Sequence, residues 1–124
     1  MKQVLIVDDV LGWRNYNSGV IRELFKDSEI ITADSACAAY DILLQDKPLD
    51  IIITDLQMED DYALKFAGEW LIEQIKMFSR YSNTKIVIIS ASYNARQIAD
   101  LYGVECIPKS TALKCLSAYK EVLC

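Results

Sequence analysis

Three short apolar runs constrain this chain most: VLIV at 4–7, IIIT at 51–54 and IVII at 86–89. None shows the polar alternation that a one-sided sheet imposes. Each therefore reads as a parallel strand covered by helices on both faces. Two weaker strand candidates are Ile30–Ala33 and Val104–Ile107. Helical patterns lie between them. Tyr16, Val20 and Leu24, with Ile21 and Phe25 beside them, form one apolar face. Ala36, Tyr40, Leu43 and Leu44 form a second, with Asp34 or Ser35 placed to cap it. Phe66, Trp70, Leu71, Ile75 and Phe78 mark a third. Asn94–Tyr102 is a short fourth, closed by Gly103 in the usual position after a helix. Leu113, Leu116, Tyr119, Val122 and Leu123 give a fifth that runs to the end of the sequence.

Strand followed by helix, five times over, predicts an α/β doubly wound sandwich. Right-handed crossovers then favour a flavodoxin-like (βα)5 fold, with a parallel five-stranded sheet of order 2-1-3-4-5. A length of 124 residues suits one domain over 1–124. Half the residues are apolar (52%), enough for a core, and the net charge of −5 disfavours direct nucleic-acid binding. No apolar run is long enough to span a bilayer, and MKQVLIVDDV reads as a first strand, not a signal peptide. Cys37, Cys106, Cys115 and Cys124 form no CxxC pair, and with no histidine there is no zinc site. Free thiols in a reducing cytoplasm are expected. The one long connection, from Leu56 to about Lys65, is of the kind that more often serves function than architecture.

In an open parallel sheet, ligands bind beyond the carboxyl ends of the strands. Strand one ends in Asp8 and Asp9, strand three in Asp55, strand four in Ser90, and strand five is followed by Lys109. These five should converge at one edge of the sheet. Three crowded carboxylates repel one another unless a cation is present. Oxygen ligands without sulfur or imidazole favour Mg²⁺, which needs only one or two carboxylates and keeps several waters. Asp55 is then a carboxylate nucleophile able to form an aspartyl phosphate. Mg²⁺ and the Lys109 ammonium would offset charge on the transferring group, and the Ser90 hydroxyl would donate to a phosphoryl oxygen.

The segments VLIVDDV, IIITDLQM, IVIISAS and IPKS, in this order and each at a strand end, resemble the response-regulator receiver domains of two-component signalling, in particular single-domain chemotaxis regulators. The resemblance covers essentially the whole chain. It implies a phosphoprotein, a phosphoacceptor and not a conventional enzyme, with Asp55 as acceptor and Mg²⁺ as cofactor. Asp8 and Asp9 would be the acidic pair, with Asp9 the direct metal ligand, and the backbone carbonyl of Gln57 would complete the protein's share of ligation. Ser90 matches the switch Ser/Thr and Lys109 the phosphoryl-binding lysine. The donor would be a histidine kinase or histidine phosphotransfer protein, since this chain has no histidine of its own. Output would be contact with a downstream protein target, or passage of phosphate in a relay. The fourth helix, fifth strand and fifth helix form the family's usual output face, here near Ala95–Tyr102 and Leu113–Tyr119, and two copies dimerising through it would be one form of output.

The sequence also departs from the family. MEDDYALKFAG follows the acceptor without the family proline, and Gly68 corresponds to the family glycine after roughly five extra residues. Cys106 stands where an aromatic residue is usual, three positions before the lysine, and Ser110 stands where proline is usual. A cis Lys109–Ser110 bond would cost about 3 kcal/mol and is not assumed.

Each residue also has a plainer reading. Alone, Asp8–Asp9 would start a helix, Ser90 would be a turn or cap residue, and Lys109 an ordinary surface lysine. Glu59, Asp60 and Asp61 read as a solvated loop, with a second cation site as the rival. Trp13 is either exposed or covers the rim of the site. The Gln57 amide either orients an attacking water or lies idle while only its carbonyl is used. Two other function classes compete. One is a receiver-like binding module that works without phosphorylation, favoured by Cys106 and the extended 56–67 loop. The other is an aspartate-nucleophile phosphatase, which would need an acid two residues after the acceptor, where Gln57 cannot transfer a proton. A truncated transcription regulator is a further reading, which the Met1 start and helical finish disfavour.

Overall fold

The computed structural model describes residues 1–58 and 67–124. Five parallel strands, β1 (Lys2–Val7), β2 (Ser28–Ala33), β3 (Ile51–Thr54), β4 (Lys85–Ser90) and β5 (Glu105–Pro108), lie in the order 2-1-3-4-5. Both the fold class and the strand order agree with the sequence expectation. The α-helices among the described residues are α1 (Leu11–Leu24), α2 (Ala36–Leu43), α3 (Ala67–Lys76), α4 (Ala95–Tyr102), α5 (Lys109–Lys114) and α6 (Leu116–Leu123), with a short 3-10 turn at Ser79–Tyr81.

The apolar runs are unbroken because alternate residues feed two separate cores. Leu5, Val7, Ile52, Ile86 and Ile88 face one side, with Leu43, Leu71, Ile75 and Ile98 from the helices. Val4, Ile6, Ile51, Ile53, Val87 and Ile89 face the other, with Ile21, Ala112 and Tyr119. A period of two places both sets in apolar surroundings, so neither position tolerates a polar residue. The two ends of the acidic region are held in register: Val7 pairs with Thr54, and Ser90 with Pro108.

Local chemistry sets the helix boundaries. Ser35, not Asp34, caps α2, its hydroxyl accepting from Ala38 N–H at 3.0 Å. Gly103 takes φ +67° and closes α4, where a side chain would be strained. Leu44 lies beyond the end of α2 and is exposed, so it does not share the helix's buried face as its spacing implied. Phe78 falls past α3 in the following turn, where it packs on Tyr40 and Tyr81 and under the Arg80 guanidinium.

The expected fifth helix is two helices. Cys115 takes an extended conformation (φ −144°, ψ 98°) between α5 and α6. Its Sγ lies 2.6 Å from Ser117 Oγ, a local hydrogen bond that competes with helix continuation. Leu113 and Leu116 flank this break and are exposed, while Tyr119 is fully buried with its hydroxyl on Asn17 Oδ1 of α1 at 2.5 Å. The apolar spacing of 113, 116, 119, 122 and 123 thus spans a kink, and only its second half faces the core. All four cysteines are free thiols. No peptide bond is cis among the described residues, Lys109–Ser110 included. The acidic run Glu59, Asp60 and Asp61, Phe66, and most of the expected long connection after Leu56 lie outside the described residues.

Gly68 is the position where the fold permits no side chain. A Cβ there would overlap the Asp55 carbonyl oxygen and come within 2.7 Å of Leu56 Cα. Its N–H also donates to Leu56 O at 3.0 Å. The start of α3 therefore rests directly on the backbone at the end of β3. Gly68→Ala should destabilise the fold by about 2 kcal/mol or more, since backbone and not a flexible side chain must yield. A urea midpoint within error of the wild type would contradict this.

Candidate functional site

The sheet brings the five chosen strand-end residues together. Asp8 N–H donates to Ala33 O at 3.1 Å and Asp55 N–H to Val7 O at 3.0 Å, so the ladders continue one residue past β1 and β3 and fix both acids. Asp8, Asp55 and Ser90 are buried, Asp9 is half-buried, and Gln57 is exposed. Carboxylate oxygens of Asp8, Asp9 and Asp55 lie within 4.8 Å of one another. Lys109 opens α5 directly after Pro108, and the register of β5 on β4 sets it beside Ser90.

The Lys109 ammonium bridges the acids. Its Nζ lies 2.8 Å from Asp55 Oδ2 and 3.1 Å from Asp8 Oδ2. Each carboxylate has a second tether: Asp55 Oδ1 accepts from Leu56 N–H at 2.6 Å, and Asp8 Oδ1 from Val10 N–H at 2.9 Å. Burial raises the Asp8 carboxyl above its ordinary range; the Val10 N–H lowers it, the charge of Asp55 raises it and Lys109 lowers it, leaving a net rise. Burial alone would lower Lys109, but the hydrogen bond and charge of Asp55, joined by those of Asp8, reverse this and hold the ammonium charged. The arrangement is an acidic edge short of positive charge, with one lysine serving two acids.

That donor set fits a hard divalent cation. The oxygens are carboxylates, sulfur and imidazole are absent from the cluster, and the half-buried Asp9 leaves one side accessible. Ser90 keeps a proton to donate, since its Oγ accepts from Ser92 N–H at 3.1 Å. Among the described residues the helix-start reading of Asp8 is also true in part, since its side chain does hold the Val10 N–H at the entry to α1.

Trp13 covers the rim. Its ring centroid lies 4.9 Å from Lys109 Nζ, and Tyr16 packs edge-on against it at 5.5 Å. The sequence left this choice open. Two supports went unnoticed there. Arg14 Nη1 donates to the Asp8 carbonyl at 2.8 Å, and the Tyr16 hydroxyl donates to Ala112 O in α5 at 2.8 Å. A helical spacing of 13, 16 and 20 on α1 could have pointed to Tyr16 on a face shared with Trp13; no signal in the sequence marks Arg14.

Cys106 is buried, and burial pushes its thiol above the usual range; Arg96 opposes and Asp100 adds to this. Its small side chain borders a cavity of about 330 Å³ lined by Ser90, Tyr93, Arg96 and Lys109, with Tyr93 fully exposed at the mouth. Where a ring would fill space between α4 and β5, this chain leaves it open.

No family model matches the chain, and no curated protein sequence matches it. Solved structures do. The Vibrio cholerae chemotaxis protein CheY4, crystallised at low pH, is similar at 25% identity and a TM-score of 0.76, covering 99% of both chains. TrrA of Thermotoga maritima, a response regulator in complex with Mg²⁺ and BeF, is 23% identical with a TM-score of 0.76, covering 99% of this chain and 100% of that one. The Mn²⁺-bound response regulator Rcp1 is 24% identical with a TM-score of 0.70, covering 98% and 89%.

Replacing the shared cation tests this electrostatic account. Lys109→Met should cost about 3 kcal/mol in metal-free buffer, because two buried carboxylates lose their partner. Mg²⁺ should stabilise the wild type by about 2.7 kcal/mol at a hundredfold excess over its dissociation constant. At a fixed Mg²⁺ concentration the gain should be larger in Lys109→Met, where no ammonium competes. Equal Mg²⁺ gains in urea denaturation would contradict the bridging role. By its strand order, its helices and its likeness to these structures over the whole chain, the protein has the receiver-domain fold of the response regulators.

Proposed function

We propose that residues 1–124 form a single receiver unit whose Asp55 accepts a phosphoryl group in a Mg²⁺-dependent reaction. One observation carries this reading: a buried carboxylate at the end of β3, 2.8 Å from the half-buried Lys109 ammonium and beside two further acids. A purely structural site has no need of three converging acids served by one lysine.

In the proposed step an Asp55 carboxylate oxygen attacks the phosphorus of a phosphohistidine on a partner kinase or phosphotransfer protein. The O–P bond forms as the P–N bond breaks; the bonding pair returns to the ring nitrogen, and a proton held on the other ring nitrogen lets the imidazole leave neutral. Lys109 stays close to Asp55 and takes up the new negative charge on the phosphoryl oxygens. The Ser90 hydroxyl turns from its local N–H contact to donate to one of those oxygens. When bound by Asp9, Asp55 and the Gln57 carbonyl, Mg²⁺ would supply further positive charge to the acidic edge. Reversal or hydrolysis returns the free carboxylate. The exposed Gln57 is suitably placed in sequence for its amide to orient the water, so Gln57→Ala should lengthen the phosphorylated lifetime. An unchanged decay rate would restrict Gln57 to its carbonyl.

Output follows through protein contact in the cytoplasm, with a downstream target or a second copy meeting α4, β5 and the α5–α6 pair. Leu101, Leu113 and Leu116 are exposed there, which supports that choice of face. A second reading, a binding module independent of phosphorylation, is favoured by Cys106 and the open space beside it.

Intact mass after incubation with acetyl phosphate separates the two. The receiver reading expects one phosphoryl adduct, dependent on Mg²⁺ and absent in Asp55→Asn. No adduct with Mg²⁺ present would move the function to the binding module.

A further inference from the structure

We infer that Trp13 is a positioning residue for Lys109, holding the ammonium on station through its indole face. This deepens the phosphoacceptor reading and rests on it. The ammonium meets two carboxylates and one ring: Asp55 Oδ2 at 2.8 Å, Asp8 Oδ2 at 3.1 Å, and the Trp13 centroid at 4.9 Å. Its side chain is only 13% exposed, so the cation–π contact operates with little competing water.

The ring does something that a third carboxylate could not. Lysine carries a point charge on a flexible four-carbon stem, so its position must be imposed from outside. A carboxylate at position 13 would impose it and then compete with the phosphoryl oxygens for the same protons. An aromatic face attracts the cation without accepting a strong hydrogen bond, and leaves it free to follow new negative charge on Asp55. The indole is itself fixed. Tyr16 packs edge-on against it, and the Tyr16 hydroxyl donates to Ala112 O, three residues along from Lys109 on α5. One turn of α1 thus grips the lysine's head and its helix together. Asn17, on the same face, continues the grip through Tyr119 of α6.

A merely structural Trp13 would pack α1 against α5 with no regard to the charge. The first readout is spectroscopic and needs neither metal nor phosphate. In Trp70→Phe protein Trp13 is the sole tryptophan. Adding Lys109→Met should shift its emission, because the neighbouring cation is gone. Unchanged emission would overturn the contact. The second readout is the rate of adduct formation from acetyl phosphate at saturating Mg²⁺. Trp13→Leu should be roughly fivefold slower and Trp13→Phe within about twofold of wild type, since a phenyl face keeps much of the attraction. Equal rates for Leu and wild type, or a Phe variant as slow as Leu, would overturn the inference while leaving the receiver reading intact. A wild type that forms no adduct would instead overturn the receiver reading, with the emission shift still deciding the contact.

Discussion

The structure depends on one shared charge. Asp8 and Asp55 are buried acids at the ends of adjacent strands, and Lys109 is the cation that reaches both. Burial of paired charges is costly, and breaking such a pair costs more than forming it gains. The fold therefore has to deliver Lys109 accurately from fifty-four residues away. It does so with a four-residue strand, β5, whose register against β4 places Pro108 beside Ser90 and starts α5 on the lysine. Ladder hydrogen bonds that run one residue past β1 and β3 complete the arrangement. The edge sets three acids against one ammonium, a donor set that fits a hard divalent cation.

Two close approaches keep that edge rigid. On one side α3 begins against the Asp55 carbonyl, an approach only glycine allows at position 68. On the other, α1 holds the C-terminal helices by Trp13, Tyr16 and Asn17. On either side of the break at Cys115 the two helices each reach α1, Lys109 at Trp13 and Tyr119 at Asn17. Between α4 and β5, by contrast, Cys106 leaves room beside Ser90.

Much of this was legible in the sequence. Continuous apolar runs and the polar residue ending each one follow from burial on both faces, so strand positions, sheet order and the five converging side chains could all be read from pattern. Less visible were features that depend on contact across long separations. The bend at Cys115 is hidden for a different reason: its thiol–hydroxyl contact with Ser117 is local, but the apolar spacing of 113, 116 and 119 runs on across it. Leu44, Leu113 and Phe78 carry the right spacing, but the helices end or turn before burying them on the expected faces. Trp13 had a known neighbour in sequence, Asp9, and an unknown one in space, Lys109, and only the second explains it. The acidic run at 59–61 lies outside the described residues.

The proposed function makes the Asp55 carboxylate itself the nucleophile. Borohydride treatment after phosphorylation tests it most directly, because an acyl phosphate is reduced to an alcohol whereas a phosphate ester on a hydroxyl is not. Peptide mapping should then find homoserine in place of Asp55, and only in samples given both Mg²⁺ and a phosphoryl donor. A borohydride-resistant phosphate on Ser90, or an unreduced Asp55 in phosphorylated protein, would contradict the account.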